Sequence, residues 1–252
     1  MRFFESMQDS WELLKQNRSL QRFAWRVGIC SLIISYIGWN YVVKRPLYQM
    51  MYGKPSPEPL TIYDADQITD MPDQPIQRVQ ANGFDIDVQL IKRFATTTRI
   101  VYIDRYHALG TWYRSRDGSD LYDKVVPLDV SIATGEAGRH PECYKFSHEY
   151  RCLESRPLCV NASSHYKHIN NNHTIAASKN IQRGLEILQV GDIAHLEGYL
   201  IYWQGTGRYS YYRFESSIQL GQLTKDLYGG QKGQQCRQLY LTKLTFDGYT
   251  FE

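Results

Sequence analysis

The stretch from Phe23 to Val43, FAWRVGICSLIISYIGWNYVV, constrains this chain more than any other. Its apolar residues wrap all round a helix, and its length matches the roughly 20 residues that cross a bilayer. The part from Val27 to Val43 carries no charge. Arg26 stands one turn inside the boundary, where its long stem lifts the guanidinium to the headgroups. Asn40 does the same at the other end. Trp25, Trp39, Tyr41 and Tyr48 fall at interfacial depth, and Lys44, Arg45 and Pro46 close the segment. A buried core helix has no reason to carry such anchors at both ends. A cleaved signal peptide fits less well, because the polar leader 1–22 is long and no small-x-small site follows the apolar run. The expectation is a transmembrane helix over 23–43.

The flanks set its direction. Arg2, Lys15, Arg18, Arg22 and Arg26 lie before the span, and Lys44, Arg45 and Lys54 lie after it. That bias puts the leader in the cytoplasm and the rest outside, as in a single-pass protein of the bacterial inner membrane with a periplasmic domain. Cysteine usage agrees. Cys30 is in the span, while Cys143, Cys152, Cys159 and Cys236 all follow it. An even number of exported cysteines fits two disulfides, with three pairings open. In the leader, Phe4, Met7, Trp11 and Leu14 form a helical stripe. It either lies on the inner leaflet or a partner helix, or extends the membrane helix.

Six of the nine prolines fall between Pro46 and Pro75, so 44–80 reads as a Pro-rich stalk. The exported domain then spans 81–252. Residues 85–94, 99–106, 124–132, 192–203, 209–218 and 238–244 read as strands. Gly198 interrupts one of them, which marks a bulge or a barrel bend. Residues 135–172 hold three cysteines and little periodicity, and read as a loop or hairpin insertion stapled by a disulfide. Ile181, Leu185 and Leu188 mark one short amphipathic helix within 176–189, with Ser178 near its N-cap. The fold class is mainly β (α+β): a small bent antiparallel sheet or barrel, an OB-like barrel among the options, with one short helix. The chain has 20 Tyr against 9 Phe, which suits strands and wet surfaces. A mean hydropathy of −0.48 excludes a polytopic membrane protein.

Three segments resemble a family of uncharacterised bacterial proteins with a single N-terminal membrane helix and a β-rich exported domain. Val126 to Gly135 (VPLDVSIATG) is similar to a Ser-Pro-x-Asp-Leu-Ala-Leu-Gly-Trp-Gly segment, with Ala133-Thr134-Gly135 in place of Gly-Trp-Gly. Asn172 to Ala177 (NHTIAA) is similar to Asn-x-His-x-Ile-Pro-Ala, without the Pro. Leu188 to Leu200 (LQVGDIAHLEGYL) is similar to Val-x-x-Gly-Asp-x-Val-x-Leu-x-Gly-x-Leu-Val. The resemblance spans about residues 100 to 245 and implies the topology, not an activity.

For chemistry, His173 with Asn172 and Asp129 is the sharpest candidate, because a His oriented by Asp or Asn can act as a general base. Ser163, Ser164 or Cys159 are its candidate nucleophiles. The plainer reading is that His173 hydrogen-bonds inside the domain. His140, His148, His165, His168 and the three nearby cysteines invite zinc, but no C-x2-C or H-E-x-x-H spacing occurs, and the expectation is no metal and no cofactor. Tyr199, Tyr202, Trp203, Tyr209, Tyr211 and Tyr212 offer a stacking surface for sugars or bases. A net charge of +3 argues against nucleic acid. Asn161-Ala-Ser and Asn172-His-Thr are sequons. The leading expectation is a non-catalytic interaction module of an envelope or secretion-type assembly, partnered by the membrane and other envelope proteins. A membrane-tethered hydrolase using His173 and a glycan-binding module are the alternatives.

Overall fold

The computed structural model describes residues 18–81, 84–105, 125–149, 152–205, 213–214 and 235–252. The chain divides into two compact units, 1–51 and 52–252.

In the first unit, helix α1 (Arg18–Ile37) runs directly into a π-helical stretch (Gly38–Val43) and then helix α2 (Lys44–Tyr52), which crosses the unit boundary. No helix among the described residues is long and apolar enough to cross a membrane. The physical reason is where the α-helix starts and stops. It takes in Arg18, Arg22 and Arg26 at one end, and it gives way at Gly38, so the uncharged run from Val27 to Val43 is shared between two elements. The side chains along it are nonetheless open. Trp25 is 73% exposed, Leu32 72%, Ile34 69% and Val42 69%. The stripe expected in the leader lies outside the described residues.

The second unit is mainly β. Strand β4 (Phe84–Arg105) is its backbone, 22 residues long. Two strands were expected here, but the joining residues Ala95 to Thr98 contain no breaker and three threonines that suit a strand. β4 pairs antiparallel with β5 (Leu128–Ala133), and β5 with β8 (Ile169–Ala176). β8 runs parallel to β11 (Gln235–Phe246). β11 pairs antiparallel with β9 (Ile193–Gly205), which returns to β4 and also pairs with the two-residue β10 (Arg213–Phe214). Strands β4, β5, β8, β11 and β9 therefore close into a ring. Helix α4 (Lys179–Ile187) lies between β8 and β9 in sequence. The Ser178 hydroxyl accepts from Ile181 N at 3.2 Å as its N-cap.

Alternate residues face inward, where Phe94, Ile100, Val130, Leu196, Leu239 and Phe246 are fully buried or nearly so. α4 supplies Ile181 and Leu185 to the interior. Gly184 is needed at that contact, since a Cβ there would stand 2.7 Å from the Phe251 ring. Gly198 of β9 is a second close approach. Its Cβ would stand 2.2 Å from Tyr240 O, beside the register shift between Leu241 and Lys243 on β11.

Three short strands within the segment read as a stalk belong to the sheet. β1 (Lys54–Pro55) pairs with β12 (Tyr249–Phe251), while β2 (Gln67–Asp70) and β3 (Gln77–Ala81) pair with β4. The prolines do not prevent this. Pro57, Pro59, Pro72 and Pro75 fall in connections, and Pro55 sits on a two-residue edge strand that asks little of its nitrogen.

The insertion between β5 and β8 folds as helix α3 (Gly135–Arg139) and the hairpin of β6 (Tyr144–Glu149) and β7 (Cys152–Pro157). Cys143 and Cys159 are joined by a disulfide. Tyr144, Leu153 and Ala162 of this insertion pack on Val101, Ala133 and Ile169 of the ring. A second apolar cluster, with Val88, Val125, Ile175, Ile201 and Trp203, covers another part of the outer wall.

Candidate functional site

The run Ile169-Asn170-Asn171-Asn172-His173-Thr174 reads as loop by composition, yet it is β8, flanked on both sides and buried throughout. A strand sends alternate side chains to opposite faces. Asn171 and His173 therefore face outward, while Asn170 and Asn172 face the interior with Val130 and Ile132.

On the outward face, register lines up Asp129 of β5, His173 of β8 and Gln238 of β11. His173 Nδ1–H donates to Asp129 Oδ1 at 2.7 Å. Asp129 is fully buried, and 7% of the His173 side chain is exposed. A carboxylate on Nδ1 fixes the ring and its tautomer. Gln238 Oε1 accepts from Trp203 Nε1–H at 3.1 Å. One residue pair away, Ser131 Oγ donates to Asn171 Oδ1 at 2.9 Å.

Of the expected trio, the structure thus brings together His173 and Asp129 but not Asn172. Asn172 is on the other face, where its Nδ2 donates to Val130 O at 3.1 Å. The reason is the two-residue period of the strand, which separates neighbours in sequence. Its sequon is closed for the same reason, as Asn172 is fully buried. Among the candidate nucleophiles, Cys159 is bound to Cys143 and has no thiol to offer. The side chains of Ser163 and Ser164 lie outside the described residues, as does that of Cys152, on which the expected second disulfide depends. Tyr209, Tyr211 and Tyr212 also fall outside. Tyr199 and Tyr202 are half-buried and Trp203 is fully buried, so Trp203 presents no ring to solvent.

No three His, Cys, Asp or Glu side chains converge as a metal site among the described residues. His140 instead meets Glu142 through Nδ1 at 3.1 Å, and His165 and His168 face one another at 6.2 Å between ring centroids. The His168 ring is held below its ordinary pKa by burial first, then by Lys167 and His165.

A second polar row crosses the ring and was only half visible in the alternation of β9. His195 Nε2–H donates to Glu197 Oε1 at 3.0 Å, so Nδ1 is free to accept from the Thr97 hydroxyl at 2.8 Å. Lys243 Nζ donates to the same Glu197 oxygen at 2.7 Å. Hydroxyl, imidazole and carboxylate in line is the pattern of an activated nucleophile. Thr97 is only 2% exposed, however, and the Tyr63 ring stands edge-on to His195 at 5.9 Å. The row acts as a cross-strand network.

A third group was not legible at all. Arg237 Nη1 donates to Asp66 Oδ2, a carboxylate from the segment just before β2, and both side chains are 6% exposed. Asn170 Nδ2 donates to the same oxygen at 3.1 Å. No spacing rule links residues 66, 170 and 237.

Comparison of this chain with family models, curated proteins and solved structures finds no match. The three resembling segments map to β5, the second half of β8 with its exit, and the entry into β9.

Proposed function

We propose that this chain is a membrane-anchored, non-catalytic interaction module, with its β-rich domain outside the bacterial inner membrane as a component of an envelope or secretion-type assembly. The observation that carries the reading is the open apolar surface of the first unit. Trp25, Leu32 and Tyr36 share one face of α1 and Ile34 stands on the opposite face; these four and Val42 are each at least 66% exposed. Contiguous apolar surface of that extent is unfavourable in water and favourable in lipid. The π-helical stretch keeps backbone bonds internal, as a bilayer demands.

The domain reading is that of an OB-like barrel. Its support is the strand order, with the third and fifth ring strands (β8 and β11) parallel and α4 joining the third to the fourth. Such barrels bind partners with their walls and loops rather than by covalent chemistry. The second reading, a tethered hydrolase, is favoured by the His173–Asp129 bond and opposed by the burial of both groups.

Two measurements test the proposal. An alkaline phosphatase fusion after Glu252 should be active, and the chain should stay in the membrane pellet after alkaline carbonate. An inactive fusion or a soluble chain would refute the anchoring. For the domain, His173→Ala should cost function only in proportion to lost protein. Loss of function at full abundance and unchanged Tm would promote the hydrolase.

A further inference from the structure

The two faces of the β6–β7 hairpin differ in character. Register pairs Tyr144 with Pro157 and Phe146 with Ser155, and on this face Tyr144 and Leu153 are buried against the ring. Lys145 and Arg156 are set directly opposite one another on the other face, and both are exposed. Like charges opposite one another on neighbouring strands repel. Neither cation forms an ion pair with any described residue. Glu154 stands two residues further along that face, opposite Ser147. Glu142, at the foot of the hairpin, is engaged by His140 Nδ1 at 3.1 Å. Two neighbouring cations that the chain leaves uncompensated favour an anion from outside.

Apolar side chains continue the same edge. Leu158 N–H donates to Cys143 O at 2.8 Å, which carries the hairpin pairing past Pro157 and sets Leu158 two residues from Arg156. Leu158 is 61% exposed and Val160 91%. Between them Cys159 is tied to Cys143, so both aliphatic side chains are offered from a braced turn. A braced tip loses little conformational freedom on binding.

Charge and hydropathy together define the partner. Cations beside open aliphatic side chains suit an anionic lipid interface, with the charged heads at the phosphates and the aliphatic groups below them. A protein fits less well, because a specific interface takes about 20–30 residues a side and this tip offers four. A bilayer needs no such area when an anchor in the same chain keeps it at high effective concentration. We propose that the tip formed by Lys145, Arg156, Leu158 and Val160 docks the β-rich unit on an anionic membrane surface. The proposal rests on the membrane-anchored reading.

The test uses the full chain reconstituted into vesicles of phosphatidylcholine, alone or mixed with phosphatidylglycerol, with flotation and with hydrogen exchange read over residues 156–162. Exchange there should be about five- to tenfold slower on the mixed vesicles at low salt, and the difference should fade at high salt. Lys145→Gln with Arg156→Gln should abolish the difference. Leu158→Ser with Val160→Ser should cut it by about half or more. Exchange in β4 and β9 should match the natural chain in both variants, which reports that the domain has folded. A chain that floats with neither vesicle refutes anchor and tip together. Flotation with the mixed vesicles alone, with the tip protected, refutes the anchor and keeps the tip. Flotation with both, at one exchange rate over 156–162, overturns the tip and leaves the anchor standing. Slower exchange with soluble polyglutamate and not with the mixed vesicles would overturn it in favour of an acidic protein.

Discussion

The two faces of β8 carry similar residues and use them differently. Outward, Asn171 and His173 each meet one partner on the adjacent β5, Ser131 and Asp129, in short bonds straight across the register. Inward, Asn170 and Asn172 use only their side-chain nitrogens within the protein, toward Asp66 and Val130 O, and their side-chain oxygens are buried without a partner. Both faces are buried, so burial alone does not tell them apart. The outward pairs close locally and add to the wall. The inward group draws on β8, β11, β4 and the segment before β2, so its members depend on the whole ring being assembled.

The largest expected effect falls on that inward group. Asp66→Ala removes the carboxylate that accepts from the buried Arg237 guanidinium, which should cost about 3–5 kcal/mol. Urea unfolding measures it. The double change Asp66→Ala with Arg237→Met should recover a large part of the loss, because it removes both buried charges of the pair. A single change costing under about 1 kcal/mol would mean that the two faces do not differ in the way described.

The contrast explains what the sequence allowed. Ile181, Leu185 and Leu188 gave the helix with its Ser178 cap, and hydrophobic alternation gave β9 and β11, because each is a local pattern. The hairpin insertion and its cysteines were also local. β8 was missed because Asn170 to Asn172 is polar on both faces, so no apolar alternation marks a strand. β1 to β3 were missed because prolines in the connections masked the short strands between them. Asp129 and His173, 44 residues apart, were paired on chemistry alone, and strand register then explains why Asn172 could not join them. Asp66 with Arg237 lies 171 residues apart and carries no motif, so only the closed ring reveals it.

On the outward side the effects should be smaller. The Cys143–Cys159 bridge closes a separation of 16 residues and holds the insertion against Ala133 and Ile169. Replacing both cysteines by serine should cost roughly 2–4 kcal/mol. Proteolysis should then cut first within 140–165. An unchanged cleavage pattern would show that the apolar contacts hold the insertion without the bridge. His173→Ala should cost about 1–3 kcal/mol by leaving the Asp129 carboxylate short of its donor. His173→Gln should restore part of that, since an amide can still donate to Asp129. A glutamine variant no better than alanine would mean that ring packing, not the bond, is what the outward face needs.

The smallest effect belongs to the more open row of Glu197 and Lys243, whose side chains are 40% and 36% exposed. Burial pushes the Glu197 carboxyl up, but the hydrogen bonds and charges of Lys243 and His195 outweigh it and hold its pKa below the ordinary glutamate value. The bond to Glu197 raises the Lys243 ammonium above the ordinary lysine value, against a smaller opposing effect of burial. The signs then define a window. A depressed carboxyl stabilises the fold above its unfolded pKa and loses that contribution as pH falls through the folded value. A raised ammonium stabilises below its unfolded pKa and loses it as pH rises through the folded value. The pair therefore contributes from just above the ordinary glutamate range to just below the ordinary lysine range. Because both groups are open to solvent, the contribution should be only about 0.2–1 kcal/mol. Glu197→Gln should lower the urea midpoint by that amount at neutral pH and by nothing in acid below the folded glutamate pKa. Added salt should shrink the neutral-pH difference. An equal loss at both pH values would show that the glutamine disturbs packing between β9 and β11 rather than removing a charge. The outward face would then be held by shape more than by its ion pair.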